Sequence, residues 1–427
     1  MSNKAKYADA LSDLARRTTE PPISWLMKMT LDHPKLISLA AGFTDSESLP
    51  VQESLEMIEE ILSCKKIGRS ALQYGSTAGD LCLRRLTAHD LQALDSTANA
   101  HVYGPDQVLI TNGSQQLLYL VTEALCNPGD IVLVEDPTYF VYLGILESHG
   151  VECRGIEMEQ DGLKLEKLDQ TLRRLQKSGQ LKQVKLLYIV SYFQNPSGIT
   201  TTFRKKVAAL EILRKYERAA GHPLYLLEDA AYRELRFKRD DEPSALAARE
   251  HTSRILYTGT YSKPFATGAR VGFGILPEPI STIVHRIKGN HDFGTSNLLQ
   301  QLLSHAVDSG LYERHLVELQ ARYALKAGIM TKALREYFPA SVQWEEPCGG
   351  LYVWARLPAK AKTGARSRIF QAALKKDVLY VPGELCYAPD PTRPRPNHEM
   401  RLSFGGATET DIQRGIERLG RMLKRQM

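Results

Sequence analysis

The sequence predicts an α/β fold, a mainly parallel central sheet covered by helices and followed by a smaller α+β domain. Three observations lead there. Between about Glu60 and Asp308, short apolar runs of strand character alternate with helical patterns, as a parallel sheet requires when each crossover is a helix. From Leu311 to Phe338 a long helical run places apolar residues at Leu316, Leu319, Tyr323, Met330 and Leu334, and reads as a connector to a second unit. Beyond it lie separate strand patterns, Gly350-Leu-Tyr-Val-Trp-Ala355 and Met400-Arg-Leu-Ser-Phe404, and a closing helical pattern from Thr408 to Lys424. At 427 residues the chain is long for one core, so two domains are expected.

Taken in order, the strands end on chemically useful residues. Asp106-Gln-Val-Leu-Ile-Thr111 reads as a buried strand, followed at once by Asn112-Gly-Ser-Gln-Gln116. A helix then runs through Leu117, Leu118, Val121 and Leu125 until Asn127-Pro-Gly129 stops it. Gly113, Ser114 and Gln115 at that turn put free backbone N–H groups and the positive end of a helix dipole at one point, which suits a phosphate. An ordinary helix cap has the same composition. Ile131-Val-Leu-Val-Glu135 is the next strand, and Asp136-Pro-Thr-Tyr139 leaves its end. The Tyr139 ring is placed either to lie flat on a planar ligand or to pack in the core. Lys185 to Ser191 runs into Tyr192-Phe-Gln-Asn-Pro-Ser-Gly198, where Asn195 is by itself a turn residue. Leu224-Tyr-Leu-Leu-Glu228 ends on Asp229-Ala-Ala-Tyr232, and the carboxyl end of a buried strand is where α/β proteins bind ligands. An N-cap would also explain Asp229.

The most informative run is Gly259-Thr-Tyr-Ser-Lys-Pro-Phe-Ala-Thr-Gly-Ala-Arg270, which leads into a strand pattern, Arg270 to Leu276. Lys263 stands among small and hydroxyl residues with an arginine seven positions on. An amine that forms a Schiff base must lose its proton near neutral pH, and burial favours that by penalising the charged form. The hydroxyls of Thr260 and Ser262, with the fork of Arg270, are groups that hold a phosphate dianion. Each feature alone has a commonplace explanation, but the ordered set does not.

As a set, these residues resemble the aminotransferase class I/II family, the pyridoxal 5′-phosphate enzymes of fold type I, and within it the kynurenine/2-aminoadipate aminotransferase branch. The resemblance runs from about Ile37-Ser-Leu-Ala-Ala-Gly42 to Arg401-Leu-Ser-Phe404. It implies that Lys263 holds the cofactor as a Schiff base and later moves the proton between substrate Cα and cofactor C4′. Asp229 would pair with the pyridine nitrogen, and Tyr232 and Asn195 would bond the ring's phenolate oxygen. Tyr139 would stack on the ring, while Gly113, Ser114, Gln115, Thr260, Ser262 and Arg270 would hold the phosphate. Arg401 would grip the substrate α-carboxylate, with Asn195, Gly42 and Tyr74 beside the substrate. Tyr74, in Gln73-Tyr-Gly-Ser-Thr-Ala-Gly79, matches a family tyrosine that reaches the neighbouring subunit's phosphate, which implies a homodimer with shared active sites. The domains implied are residues 1–55 packing with the small domain, 56–310 binding the cofactor, and 311–427 forming the small domain.

The chain departs from the family pattern in three places. Asn195-Pro-Ser-Gly198 replaces Asn-Pro-Thr-Gly, Thr267-Gly268 replaces Pro-Gly, and Pro264 follows the lysine directly, fixing the backbone and removing a donor. The expected reaction is transamination between a long-chain or aromatic α-amino acid, 2-aminoadipate- or kynurenine-like, and a 2-oxo acid such as 2-oxoglutarate. The side-chain end of the substrate is expected near Gly42-Phe-Thr-Asp-Ser46 or His291-Asp-Phe-Gly-Thr-Ser296, although Phe43 and Phe293 also suit a core. A lyase, decarboxylase or specialised biosynthetic enzyme on the same scaffold would share the ring-binding residues, because the cofactor supplies the electron sink. A regulator with a sensor domain of this kind is disfavoured, since too few residues precede Ile37 for a DNA-binding domain.

Composition agrees with an ordinary globular protein: 43% hydrophobic and 24% charged residues, with a net charge of +6 that suits anionic ligands without calling for nucleic acid. The basic end of the closing helix reads as a solvated terminus favoured by the dipole. Six cysteines, Cys64, Cys82, Cys126, Cys153, Cys348 and Cys386, lack metal or disulfide spacing and read as reduced, buried thiols of a cytoplasmic protein. No metal site is expected. Met1 to Asp9 has no apolar core for a signal peptide, and no stretch is long and apolar enough for a membrane span. Ala388 to Pro396, with its repeated prolines, reads as a stiff surface loop.

Overall fold

A computed structural model describes residues 10–96 and 101–427; the signal-peptide reading of Met1 to Asp9 lies outside the described residues. The strands are β1 (Ile37–Ser38), β2 (Val108–Thr111), β3 (Ile131–Asp136), β4 (Glu152–Glu159), β5 (Gly162–Leu163), β6 (Val184–Val190), β7 (Tyr225–Asp229), β8 (Ile255–Thr260), β9 (Gly272–Ile275), β10 (Tyr352–Arg356), β11 (Val378–Leu379), β12 (Val381–Pro382) and β13 (Glu399–Ser403). Eight of them form one sheet in the order β2-β9-β8-β7-β6-β3-β4-β5. Strands β8, β7, β6, β3 and β4 are mutually parallel, and β9 runs against both of its neighbours. The central strands β3, β7 and β8 are buried at every position, as near-continuous apolar runs must be when helices cover both faces.

The chain reverses direction across the sheet between β3 and β6: β4 and β5 lie to one side of this pair, β7 and β8 to the other. Outside the carboxyl ends at such a reversal is where open α/β sheets form a ligand crevice. The segment carrying Tyr139 leaves β3 there, and the segment carrying Asn195 leaves β6. Asp229 is the last residue of β7, in register with Val190 on one side and Thr258 on the other.

The 27-residue helix Leu311–Tyr337 follows the large sheet and buries Leu319, Tyr323, Met330 and Leu334. It packs along the closing helix Glu409–Gln426, whose stripe Ile412, Ile416, Leu419 and Leu423 faces inward. The basic end of that helix carries Arg418 beside Asp377 (3.6 Å) and Arg421 on Glu417 (2.7 Å). A three-stranded antiparallel sheet, β10-β13-β12, carries Arg401 on its central strand. The N-terminal segment joins it: β1 pairs with β11, and Ser403 donates its N–H to the Leu39 carbonyl at 2.7 Å.

Two expectations are corrected. Cys126, Cys153 and Cys386 are buried thiols, but Cys64 and Cys82 are exposed and Cys348 is partly so; all six are free. The proline-rich stretch is exposed in part, yet it is also tied to the large sheet. Asp390 accepts the Gly155 N–H at 2.9 Å, and Arg393 pairs with the buried Asp136 at the end of β3. No described helix is long and apolar enough to cross a membrane.

Candidate active site

Residues at and just beyond the carboxyl ends of β3, β6, β7 and β8, with Tyr352 of β10 and Arg401 of β13, line a cavity of about 270 Å³. Its walls include Ser114, Gln115, Tyr139, Asn195, Asp229, Tyr232, Thr260, Ser262, Lys263, Arg270, Arg401 and Gly42. Of the residues singled out in the sequence, these twelve are brought together. Gly113 stands just behind them, and Tyr74 lies outside the cavity, 84% exposed, edge-on to the exposed Phe293 at 5.3 Å.

One end of the cavity suits a phosphate. The helix Ser114–Leu125 begins there, and the N–H groups of its first turn have no partner within the helix. Gly113 precedes it at φ 73°, a left-handed conformation, and a Cβ there would come within 2.5 Å of Arg270 Nη2. Glycine therefore lets the arginine fork lie against the turn. Arg270 itself has φ 53° and reaches the Ser262 hydroxyl at 3.4 Å and the Thr267 carbonyl at 3.3 Å. The Thr260 hydroxyl braces the turn after β8, accepting the Ser262 N–H at 3.0 Å and donating to the Val271 carbonyl at 3.3 Å.

The middle of the cavity holds Lys263 and Asp229. Lys263 Nζ donates to the Gly42 carbonyl at 2.7 Å. Its pKa is pushed down to about 8, first by burial and then by the guanidinium groups of Arg401 and Arg270. Asp229 accepts the Tyr188 O–H at 2.9 Å and the Ala231 N–H at 3.1 Å, while burial pushes its pKa up to about 6. A buried carboxyl raised in this way gains by meeting a cationic N–H, the group a pyridine nitrogen presents when protonated.

At the far end, Arg401 is 1% exposed. It donates to Asn195 Oδ1 and to the Ala40 carbonyl, both at 2.6 Å, and its guanidinium lies 4.3 Å from the Tyr352 ring centre. Its Nε is closed to solvent and has no acceptor. A buried guanidinium fork has the chemistry to take a carboxylate in a two-pronged contact. The orientation of Asn195 follows, because its oxygen faces the arginine and its Nδ2 donates to the Tyr232 hydroxyl at 3.2 Å. Free N–H groups with hydroxyls and an arginine, a buried carboxyl, a low-pKa amine and a buried guanidinium fork are together a set of groups that would fit pyridoxal phosphate and an amino acid.

The family model for aminotransferase class I and II matches residues 34–419. The chain belongs to that family. An aromatic-amino-acid aminotransferase of Thermococcus litoralis is 32% identical over 423 residues, covering 99% of this chain and 95% of the relative. Among solved structures, Pyrococcus horikoshii kynurenine aminotransferase, in complex with PMP, superposes with a TM-score of 0.89 at 30% identity over all of both chains. An α-aminoadipate aminotransferase of Thermus thermophilus, complexed with N-(5′-phosphopyridoxyl)-L-leucine, gives 0.84 at 29% identity over 98% of each chain. The protein is thus a fold type I, pyridoxal 5′-phosphate-dependent aminotransferase that transaminates amino acids.

Several walls of the cavity are not evident from the sequence. Ile23, Phe140, Val141 and Tyr352 line it beside Phe43. Ile23 comes from the helix Pro22–Asp32, far from any motif, and apolar residues carry no local sign of lining a site rather than a core. Of the two segments expected near the substrate side chain, Gly42 and Phe43 line the cavity, whereas the His291 to Ser296 segment does not. His291 instead meets Gln116, with 3.1 Å between Nδ1 and Nε2.

Proposed function

We propose that this aminotransferase takes its amino group from a long-chain or aromatic amino acid and passes it to a 2-oxo acid, with 2-oxoglutarate among the acceptors. The observation that carries the side-chain preference is the lining of the cavity. Its cations are Lys263, Arg270 and Arg401, and its apolar lining includes Ile23, Phe43, Phe140, Val141 and Val190. Arg401 is committed to the α-carboxylate, Arg270 to the phosphate and Lys263 to the reaction. An apolar or aromatic side chain gains by covering that wall. A second carboxylate, as on 2-aminoadipate or 2-oxoglutarate, meets no further cation among the described residues lining this cavity.

Pyridoxal phosphate, when bound, supplies the electron sink for the carbanion at substrate Cα. This chain's residues do the rest. Lys263, neutral once its proton is lost, would take the proton from substrate Cα and deliver it to C4′ of the cofactor. Asp229 holds a proton at the ring nitrogen, and Tyr232 and Asn195 neutralise charge at the ring oxygen. Tyr139 covers the ring face. Gly113, Ser114, Gln115, Thr260, Ser262 and Arg270 anchor the phosphate, and Arg401 with Asn195 orients the substrate carboxylate beside Gly42.

The assembly proposed is a homodimer in which Tyr74 completes the partner's phosphate site. Its support is a cluster of exposed apolar residues in one stretch: Val51, Leu55, Ile67, Leu72 and Tyr74. The chain divides into 1–55, 56–310 and 311–427, supported by the β1–β11 pairing and the separate three-stranded sheet. Six free thiols fit the cytoplasm.

Steady-state assays with phenylalanine, kynurenine, leucine and 2-aminoadipate, each with 2-oxoglutarate and with pyruvate, test the reading. Oxo-acid-dependent turnover with higher kcat/KM for the aromatic donors is expected. Ammonia release without an oxo acid would favour the lyase alternative, and a preference for 2-aminoadipate would refute the apolar assignment.

A further inference from the structure

Tyr232 has one proton and two neighbours on its oxygen, Asn195 and Tyr352. Asn195 Nδ2 donates to it at 3.2 Å, and that direction is fixed because Arg401 holds the amide oxygen. The Tyr352 hydroxyl lies 3.0 Å away, a distance at which either phenol is a competent donor. If Tyr232 gives its proton to Tyr352, it has none to give to a ligand. If Tyr352 is the donor, Tyr232 accepts twice and its proton points into the cavity.

Tyr352 is also placed where it governs the carboxylate fork. Its ring carries the Arg401 guanidinium at 4.3 Å, within cation–π range. Its hydroxyl occupies the space where a side chain at residue 42 would begin: a Cβ on Gly42 would lie 2.7 Å from Tyr352 Oη. Gly42 is the residue whose carbonyl receives Lys263. The ring is 2% exposed, but it also walls a second cavity of about 420 Å³, so packing alone does not enclose it.

We propose that Tyr352 is a positioning residue for transamination, its hydroxyl donating to Tyr232 so that the Tyr232 proton is delivered to the cofactor's ring oxygen, and its ring holding Arg401 for the carboxylate. The inference rests on the assignment of Tyr232 to that oxygen. Two separable jobs follow, one for the hydroxyl and one for the ring. Donors to the ring oxygen favour its more anionic form, so losing one makes the cofactor's titratable proton harder to remove.

The test is a pH titration of the bound cofactor's absorbance, joined to steady-state kinetics. Tyr352→Phe keeps the ring and should raise the midpoint of the absorbance change by roughly half to one pH unit, the size of one hydrogen bond, with KM little changed. Tyr352→Leu should show the same shift and also raise KM for every amino and oxo acid by roughly three- to tenfold. In a Tyr232→Phe background, Tyr352→Phe should move the midpoint no further, since the hydroxyl acts through Tyr232. An unmoved midpoint in Tyr352→Phe overturns the relay, as does an equal shift in both backgrounds. A Tyr232→Phe variant that itself titrates like wild type would instead overturn the reading of Tyr232. Thermal unfolding of the cofactor-free Tyr352→Phe protein separates these outcomes from lost packing: a midpoint shift seen only with a large drop in Tm also counts against the relay.

Discussion

Replacing Arg401 by lysine keeps the charge and removes the fork. In the structure, two of the guanidinium nitrogens are already engaged, on Asn195 Oδ1 and on the Ala40 carbonyl, each at 2.6 Å, while Nε has no acceptor. One ammonium cannot meet both anchors and a carboxylate with parallel bonds. The variant therefore loses at least one charge-assisted hydrogen bond, about 1.5–3 kcal/mol. It also weakens the contact with the Tyr352 ring, whose centre lies 4.3 Å from the guanidinium; such a contact is worth about 2 kcal/mol when desolvated, and an ammonium keeps part of it, so the loss is up to about 1 kcal/mol. Together this is about 3 kcal/mol, or on the order of 100-fold in kcat/KM. Every amino-acid and oxo-acid substrate presents the same carboxylate, so the loss should appear for all of them, mostly in KM, with the cofactor's absorbance unchanged. Steady-state kinetics on two donors and two acceptors suffice to check this. A variant impaired toward one substrate alone would show that Arg401 reads the side chain and that the carboxylate is held elsewhere.

Three other outcomes are expected. Covalent capture of pyridoxal phosphate by the cofactor-free protein needs the neutral amine, so its rate should climb with pH through about 8 and level off above it, and borohydride should trap no adduct in Lys263→Ala; a flat rate from pH 6 to 9 contradicts the lowered pKa. Asp229→Asn should bind the cofactor but turn over at least about a hundredfold more slowly, as for other lost electrostatic partners of a reacting group, and a rate within a few-fold of wild type removes Asp229 from its role. Tyr74→Phe should release cofactor faster in dialysis without lowering the unfolding temperature of the cofactor-free protein, and a fully loaded monomer in sedimentation would refute the shared site.

The large sheet was legible where strands are buried on both faces. Ile131-Val-Leu-Val-Glu135 and Leu224-Tyr-Leu-Leu-Glu228 announce themselves as continuous apolar runs, and their polar terminal residues mark the crevice. Strands β4 and β5 at the sheet's edge were not legible, because half-exposed Glu152–Glu159 mixes charges into its pattern. Strand β8 passed unnoticed because threonine and glycine dilute it, although it leads directly to Lys263. Among the residues singled out in the sequence, Asp229 at the end of β7 and Lys263 just beyond β8 are both brought to the cavity. Tyr352 was missed for a physical reason: a tyrosine in a strand is indistinguishable from core until its hydroxyl is seen 3.0 Å from another phenol. Likewise nothing local to Thr260 shows its hydroxyl bracing the backbone of its own turn.

The β1–β11 pair ties the beginning of the chain to its last third, and this fixes when a working site can exist during synthesis. Ala40 and Gly42 deliver their carbonyls to Arg401 and Lys263 only if the segment before them is moored to Val378–Leu379 and to Ser403. A nascent chain therefore carries residues 37–42 unmoored while more than three hundred further residues emerge. The central sheet, complete once β9 has formed, is able to fold before the chain is finished. The contacts of Arg401 with Ala40 and of Ser403 with Leu39 are closed last, because β13 is the last strand to emerge, and a chain that stops short of it has neither.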